Sequence, residues 1–346
     1  MPVTSNIFRT LQKGLRRLNP PTSLRDPDGI HHSSRSFSSN AATRQRYYGR
    51  PNQQYTYNRF QHTANIFKRW SQRPSFYLEV GGVAAGIGGF YVYNLETVPV
   101  SGRKRFNIFG PDFEKRIAQS EASAILQQFN GKLLSDWDPR TRQVKRVLNR
   151  LIPVCGLNDL NWEVYVVESE MVNAMVVPGG KVFVFTGILP VAKDDDGLAA
   201  ILGHEISHAV ARHVSEKLSR YSLIWAAAVL SDFFFGTGAL GQVLLTYALE
   251  MPNSRKQETE ADYLGLLLMA QACYNPRGAV SFWERMAKLG QAQPPEFLST
   301  HPAPAHRVEK MKEWMDEAER KRDESNCGST LGYARQFRET FPQVRW

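Results

Sequence analysis

Apolar and basic positions alternate at the start of the chain (Ile7, Phe8, Arg9, Leu11, Lys13, Leu15, Arg16, Arg17), and no apolar period is sustained over 41–75. Residues 76–95, FYLEVGGVAAGIGGFYVYNL, then form the first long apolar run. About twenty residues suffice to cross a bilayer as a helix. Aromatic residues stand at both ends (Phe76, Tyr77; Phe90, Tyr91, Tyr93), as they do at membrane interfaces. Gly82 and Gly86 make a GxxxG face for close helix contact. Five glycines would make a poor buried helix in water. The run predicts one N-terminal transmembrane helix.

Beyond it the periods alternate between helix and strand. Residues 112–152 read as helical, with Ile117, Ala124, Ile125 and Phe129, and later Val144, Val147, Leu148 and Leu151. Residues 162–167 (WEVYVV) and 181–186 (KVFVFT) read as strands, the second entered through a Pro178-Gly179-Gly180 turn. Asp194, Asp195 and Asp196 precede a long apolar-periodic segment, and acids there favour a helix start, predicted to run over 197–218. Helix is expected again over 257–272, 277–289 and 304–324, where Val308, Met311, Met315 and Ala318 share a stripe. The expected fold is α+β and mainly helical, with a small sheet.

Charge divides the chain at the same place. Of 43 Lys and Arg, 13 lie in residues 1–76 beside only two acids, Asp26 and Asp28, so the overall charge of +10 belongs to the leader. A near-neutral body removes the reason to expect nucleic acid as a partner. An amphipathic, Arg-rich, acid-poor leader has the composition of a mitochondrial presequence. The reading is a presequence over 1–40, a basic linker over 41–75, the span over 76–95 and a folded domain over 96–346. An N-terminus imported into the matrix would leave the body in the intermembrane space.

The chemistry is concentrated in His204-Glu205-Ile206-Ser207-His208. Two imidazoles four residues apart share a helix face and can reach one zinc ion, while the intervening glutamate can take a proton from water. A catalytic zinc needs a third protein ligand. On a continuing helix His213 would point about 140° away from His208, so it reads as a packing or supporting histidine. Farther on, Glu258 and Asp262 share a helix face, and one can ligate while the other orients a ligand histidine. Cys155, Cys273 and Cys327 are too few for a disulfide framework. Cys273 and Cys327 are a possible pair in an oxidising compartment, and buried free thiols are the alternative.

HExxH followed by ExxAD resembles the signature of the zinc peptidase family that contains the CAAX prenyl endopeptidase and a bacterial membrane heat-shock protease. The resemblance implies a gluzincin-like peptidase holding one zinc per chain. His204, His208 and Glu258 would be its ligands, Glu205 the general base and Asp262 the acid behind a ligand. Asn173, Ala174 and Met175 resemble the segment whose strand edge pairs with extended substrate, a backbone-reading mode suited to a broad protease. The family often has Phe where Met175 stands. His301, in Ser299-Thr300-His301-Pro302 with Arg307, resembles a later element whose histidine would donate to the oxyanion.

The runs around 173–197, 251–273 and 296–307 are similar to the family's mitochondrial inner-membrane branch, which is stress-activated. That likeness implies ATP-independent cleavage of membrane-anchored proteins in quality control, including the dynamin-like fusion GTPase, beside inner-membrane lipid. A homo-oligomer stays open. The rivals are a CAAX-type prenyl-protein endopeptidase, and a non-catalytic zinc-binding membrane scaffold. Residues 221–249 are also apolar, yet His204 and Glu258 must meet at one metal. Twenty-nine residues cannot make two full crossings. A broken helical hairpin close to the membrane surface is therefore expected there.

Overall fold

The computed structural model describes residues 68–98, 100–235, 238–292, 296–301, 306–325 and 327. The expected presequence, most of the linker and Pro302 lie outside them. The chain falls into two units, one of Thr4–Arg73 and one holding everything from Pro74 onward. Of the first, residues 68–71 form a helical turn.

The second unit opens with α1 (Phe76–Tyr93), in which no residue is buried. Leu78 is 80% exposed, Ile87 64% and Val92 65%. The transmembrane helix expected over 76–95 is thus an apolar helix of 18 residues. Among the described residues no helix is long and apolar enough to cross a membrane. Eighteen residues rise about 27 Å, short of a hydrocarbon core of about 30 Å, and the glycines, tyrosines and Glu79 dilute the apolar character. At its C-terminal end Tyr91 stacks on Phe106, with ring centroids 5.1 Å apart. Phe106 ends a two-stranded antiparallel ribbon, β1 (Leu95–Thr97) and β2 (Lys104–Phe106). The turn between these strands presents Ser101 and Arg103 to the body.

The helical stretch expected over 112–152 is two helices, α2 (Pro111–Gln128) and α3 (Pro139–Leu151). Asp138 caps α3 by accepting from the Arg140 backbone N–H, and Pro139 supplies a pre-set first φ. The sheet contains β3 (Glu163–Val167), β4 (Ala174–Val177) and β5 (Lys181–Phe185) in the order β3-β5-β4. β5 is parallel to β3 and antiparallel to β4, so β4 is an edge strand. Alternation along β5 explains why residues 182–185 are all apolar. Val182 and Val184 face the core of α3 and α5, whereas Phe183 and Phe185 face α2. Both faces are covered.

A short helix α4 (Leu189–Ala192) leads into α5 (Asp195–Val210), whose cap is Asp194 accepting from the Gly197 N–H. Every residue of α5 from Gly197 to Ser207 is buried. The helix predicted over 197–218 ends eight residues early. Arg212 takes a left-handed φ of 49°, and α6 (His213–Phe235) starts in a new direction. After it comes α7 (Gly238–Gln271), 34 residues long, which packs along both α6 and α5. Within 221–249 the described residues are helical on both sides of 236–237, in α6 up to Phe235 and in α7 from Gly238, and Trp225 is 57% exposed. α8 (Arg277–Ala292), α9 (Glu296–Thr300), α10 (Arg307–Glu313) and α11 (Met315–Glu324) close the unit. A disulfide joins Cys273, just past α7, to Cys327, with Cα atoms 5.4 Å apart. Cys155 is free and buried.

Candidate metal centre

Three elements converge at the middle of the unit. α5 carries His204, Glu205 and His208; α7 carries Glu258 and Asp262; His301 directly follows α9. One turn of helix brings the Nε2 atoms of His204 and His208 to 3.1 Å from each other. Glu258 Oε2 lies 3.4 Å from His204 Nε2, and Oε1 lies 3.6 Å from His208 Nε2. His301 Nδ1 is 3.1 Å from the same Oε1. His204, His208, Glu258 and His301 each offer one ligand atom, all within 4.8 Å of one another. Glu258 therefore sits with the imidazole pair, and Asp262 stands one turn behind.

Asp262 Oδ1 is 2.9 Å from His204 Nδ1, on the side of the ring away from the cluster. Its other oxygen accepts from Arg307 Nε at 2.7 Å, and Arg307 Nη2 donates to Glu258 Oε2 at 3.1 Å. The guanidinium is buried and lies over the Trp283 ring, 3.8 Å from its centroid. One arginine thus holds two acids of α7, Glu258 and Asp262, while an indole face holds the arginine.

The electrostatics suit a cation. Burial lowers the basicity of His208 far below the ordinary imidazole value, leaving that ring neutral with a free lone pair. Burial acts likewise on His204, but Asp262 and Glu258 override it and push the pKa up to about 9. Burial would raise the Glu258 pKa, yet the imidazoles of His301 and His208 outweigh it and hold the carboxyl well below its usual range. A neutral His208 and an ionised Glu258 are thus both in the state that donates to a cation. Two imidazoles and a carboxylate are also the donor types zinc takes. These residues fit that ion.

Glu205 lies beside the cluster and not in it. It is buried, its Oε1 makes no hydrogen bond, and His301 Nε2 stands 3.4 Å away. Burial raises its pKa, which suits a carboxyl that must gain and lose a proton. The Val176 backbone N–H of β4 faces the same carboxylate. Of the segment expected to meet substrate, Ala174 and Met175 belong to β4, and buried Asn173 precedes it, its carbonyl accepting from the Phe185 N–H. The edge strand therefore runs past Glu205.

His301, expected as an oxyanion donor, has both ring nitrogens facing carboxylates, Glu205 and Glu258, and stands among the ligand candidates. His213, expected as a packing or supporting histidine, stands against His208, and three residues close to the centre had no role assigned from sequence: Glu260, Arg103 and Trp283. His213 Nδ1 lies 2.8 Å from His208 Nδ1, which the turn at Arg212 makes possible. No glycine or proline marks that turn, so the sequence carried no signal for it.

The sequence profile of Peptidase family M48 matches residues 138–315. The chain is 42% identical over 291 residues to "Mitochondrial metalloendopeptidase OMA1" of Schizosaccharomyces pombe, covering 81% of this chain and 82% of that one. Its identity to the Saccharomyces cerevisiae protein of the same name is 35% over 269 residues, covering 73% and 78%. It is 36% identical over 257 residues to "Metalloendopeptidase OMA1, mitochondrial" of Homo sapiens, covering 69% of this chain and 49% of that one.

Proposed function

The chain belongs to peptidase family M48, and from that membership we propose how its residues cleave peptide bonds and where they do so. It is a zinc metalloendopeptidase of mitochondria. The observation that carries the site reading is the meeting of Glu258 with His204 and His208 across two helices.

His204, His208 and Glu258 would hold the zinc. When bound, zinc supplies Lewis acidity, lowering the pKa of a water and polarising a carbonyl. Glu205 takes the proton of the attacking water and passes it to the leaving amine; its buried position keeps the proton from bulk solvent. Asp262 fixes the ring of His204, and Arg307 keeps Asp262 and Glu258 in register. An extended substrate adds as a strand along β4, through Asn173, Ala174 and Met175, which lays its backbone beside Glu205. His301 donates to the oxyanion once its ring has left Glu258.

We further propose residence in the inner membrane with the body facing the intermembrane space. The exposed apolar surface of α1 supports anchoring, and local thinning of the bilayer absorbs the shortfall in its length. The Cys273–Cys327 disulfide supports a non-reducing compartment. The chain would then divide into a presequence over 1–40, a linker over 41–75, an anchor over 76–95 and a catalytic body over 96–346, with the 221–249 hairpin against the membrane. Substrates would be membrane-anchored proteins, including the dynamin-like fusion GTPase, cleaved without ATP in quality control and stress. A homo-oligomer through Gly82 and Gly86 is compatible with the open face of α1. Incubating purified protein with a membrane-tethered substrate, with and without Glu205→Gln, tests the reading. Cleavage that is lost in the variant supports it, and cleavage that persists overturns it.

A further inference from the structure

The two ligand histidines are backed in different ways. His204 meets the carboxylate of Asp262 directly at its Nδ1. His208 meets another histidine, and its Nδ1 lies 2.8 Å from the Nδ1 of His213. The far nitrogen of His213, Nε2, is 2.9 Å from Glu260 Oε2. His213 and Glu260 are both buried. Glu260 is itself held from outside: Arg103 Nε donates to its Oε2 at 2.8 Å, and the Ser101 hydroxyl donates to Oε1. Arg103 also grips Glu216 with two nitrogens, at 2.9 and 2.6 Å.

With Glu260 ionised and His213 neutral, proton bookkeeping along this chain has one solution. An ionised carboxylate only accepts, so the His213 nitrogen facing Glu260 carries a hydrogen. A neutral ring has one N–H, which leaves the Nδ1 of His213 as an acceptor. Two acceptors cannot meet at hydrogen-bond distance, so the Nδ1 of His208 must be the donor. Its Nε2, the atom facing His204 and Glu258, is then left with a lone pair, as a metal ligand requires.

We propose that His213 and Glu260 are positioning residues that fix the tautomer and ring orientation of His208, and that Ser101 and Arg103 fasten this relay to the segment leaving α1. The proposal rests on the reading of His208 as a zinc ligand. It gives the turn at Arg212 a purpose, because only a break after α5 folds His213 back behind His208. It also ties the metal centre to the β1–β2 ribbon, whose Phe106 packs against the end of α1.

The test uses full-length protein in detergent, with zinc affinity measured by competition against a chelator. Glu260→Gln keeps the shape but supplies an amide that can donate as well as accept, so His213 can invert and deliver the wrong tautomer to His208. Its zinc affinity should fall on the order of 10- to 100-fold, the range for lost outer-sphere partners. His213→Gln should fall equally. Glu216→Gln loosens the same arginine without touching the relay and should stay within about twofold of the parent. Equal losses in Glu216→Gln and Glu260→Gln would reduce the effect to a loosened strap and overturn the proposal. His208→Ala separates the underlying reading, because unchanged affinity there removes His208 as a ligand. Loss in His208→Ala with parent affinity in both relay variants overturns the relay alone. Should a variant fail to fold, nitrogen-15 spectra of histidine-labelled parent protein decide: a hydrogen on His208 Nδ1 is expected, and one on Nε2 overturns the proposal.

Discussion

Gly265 lies against Gly203 where α7 crosses α5, so close that a Cβ on Gly265 would stand 2.8 Å from the His204 backbone nitrogen. A Cβ on Gly203 would meet the Gly265 carbonyl oxygen at 3.0 Å. The absence of two side chains lets the helix bearing His204 and His208 approach the helix bearing Glu258. Gly265→Ala must push the helices apart. Overpacking of this kind costs roughly 1–3 kcal/mol, read as a lower thermal midpoint. Zinc affinity should fall with it, because Glu258 moves with the backbone. Stability lost with no change in affinity would mean the ligands tolerate the displacement.

Arg307 bridges two buried carboxylates, Asp262 and Glu258. Arg307→Met leaves both without it and should cost about 3–5 kcal/mol, the range for breaking a buried pair. Arg307→Lys should recover only part of the loss, since an ammonium neither forks between two acids nor stacks flat on Trp283. Chemical denaturation of the three proteins measures the order.

Glu216 sets a pH dependence away from the metal. Burial would raise its pKa, but the hydrogen bonds and charge of Arg103 dominate and hold it below its ordinary value of 4.5. A carboxyl depressed in the folded state contributes stability that is present above the unfolded pKa and lost as pH falls through the folded one. The midpoint advantage of the parent over Glu216→Gln should therefore be full above about pH 5 and shrink below about pH 4.5. An advantage that stays constant down to pH 3 would contradict the depressed pKa.

The Cys273–Cys327 disulfide closes a separation of 54 residues. The chain-entropy relation gives about 4 kcal/mol for a loop of that size. Cys327→Ser should lower the unfolding midpoint under oxidising conditions and match the parent once both are reduced. A difference that survives reduction would place the effect in packing at residue 327.

Local pattern foretold the parts with a short period. The strands at 163–167 and 181–185 and the capped helix at Asp194 follow from alternation and from acids at a helix start. The centre was legible because His204 and His208 are one helical turn apart, as are Glu258 and Asp262. Whether the two pairs meet depends on glycines 62 residues apart, whose spacing carries no signal by itself. The apolar run expected over 76–95 ends as helix at Tyr93, because there the chain turns into β1 and packs Phe106 under its end. His213 was read from a helix assumed to continue, and the left-handed Arg212 falsified that geometry. Arg103 could not be foreseen, since nothing local connects residue 103 to residues 216 and 260.

Glu258 carries the central claim, being the only proposed ligand outside α5. Zinc content and affinity of purified Glu258→Ala, measured beside the parent, test it most directly. The account predicts about one zinc per parent chain and loss of stoichiometric zinc from the variant, with the fold retained by circular dichroism. A folded Glu258→Ala protein that still holds one zinc as tightly as the parent would contradict it.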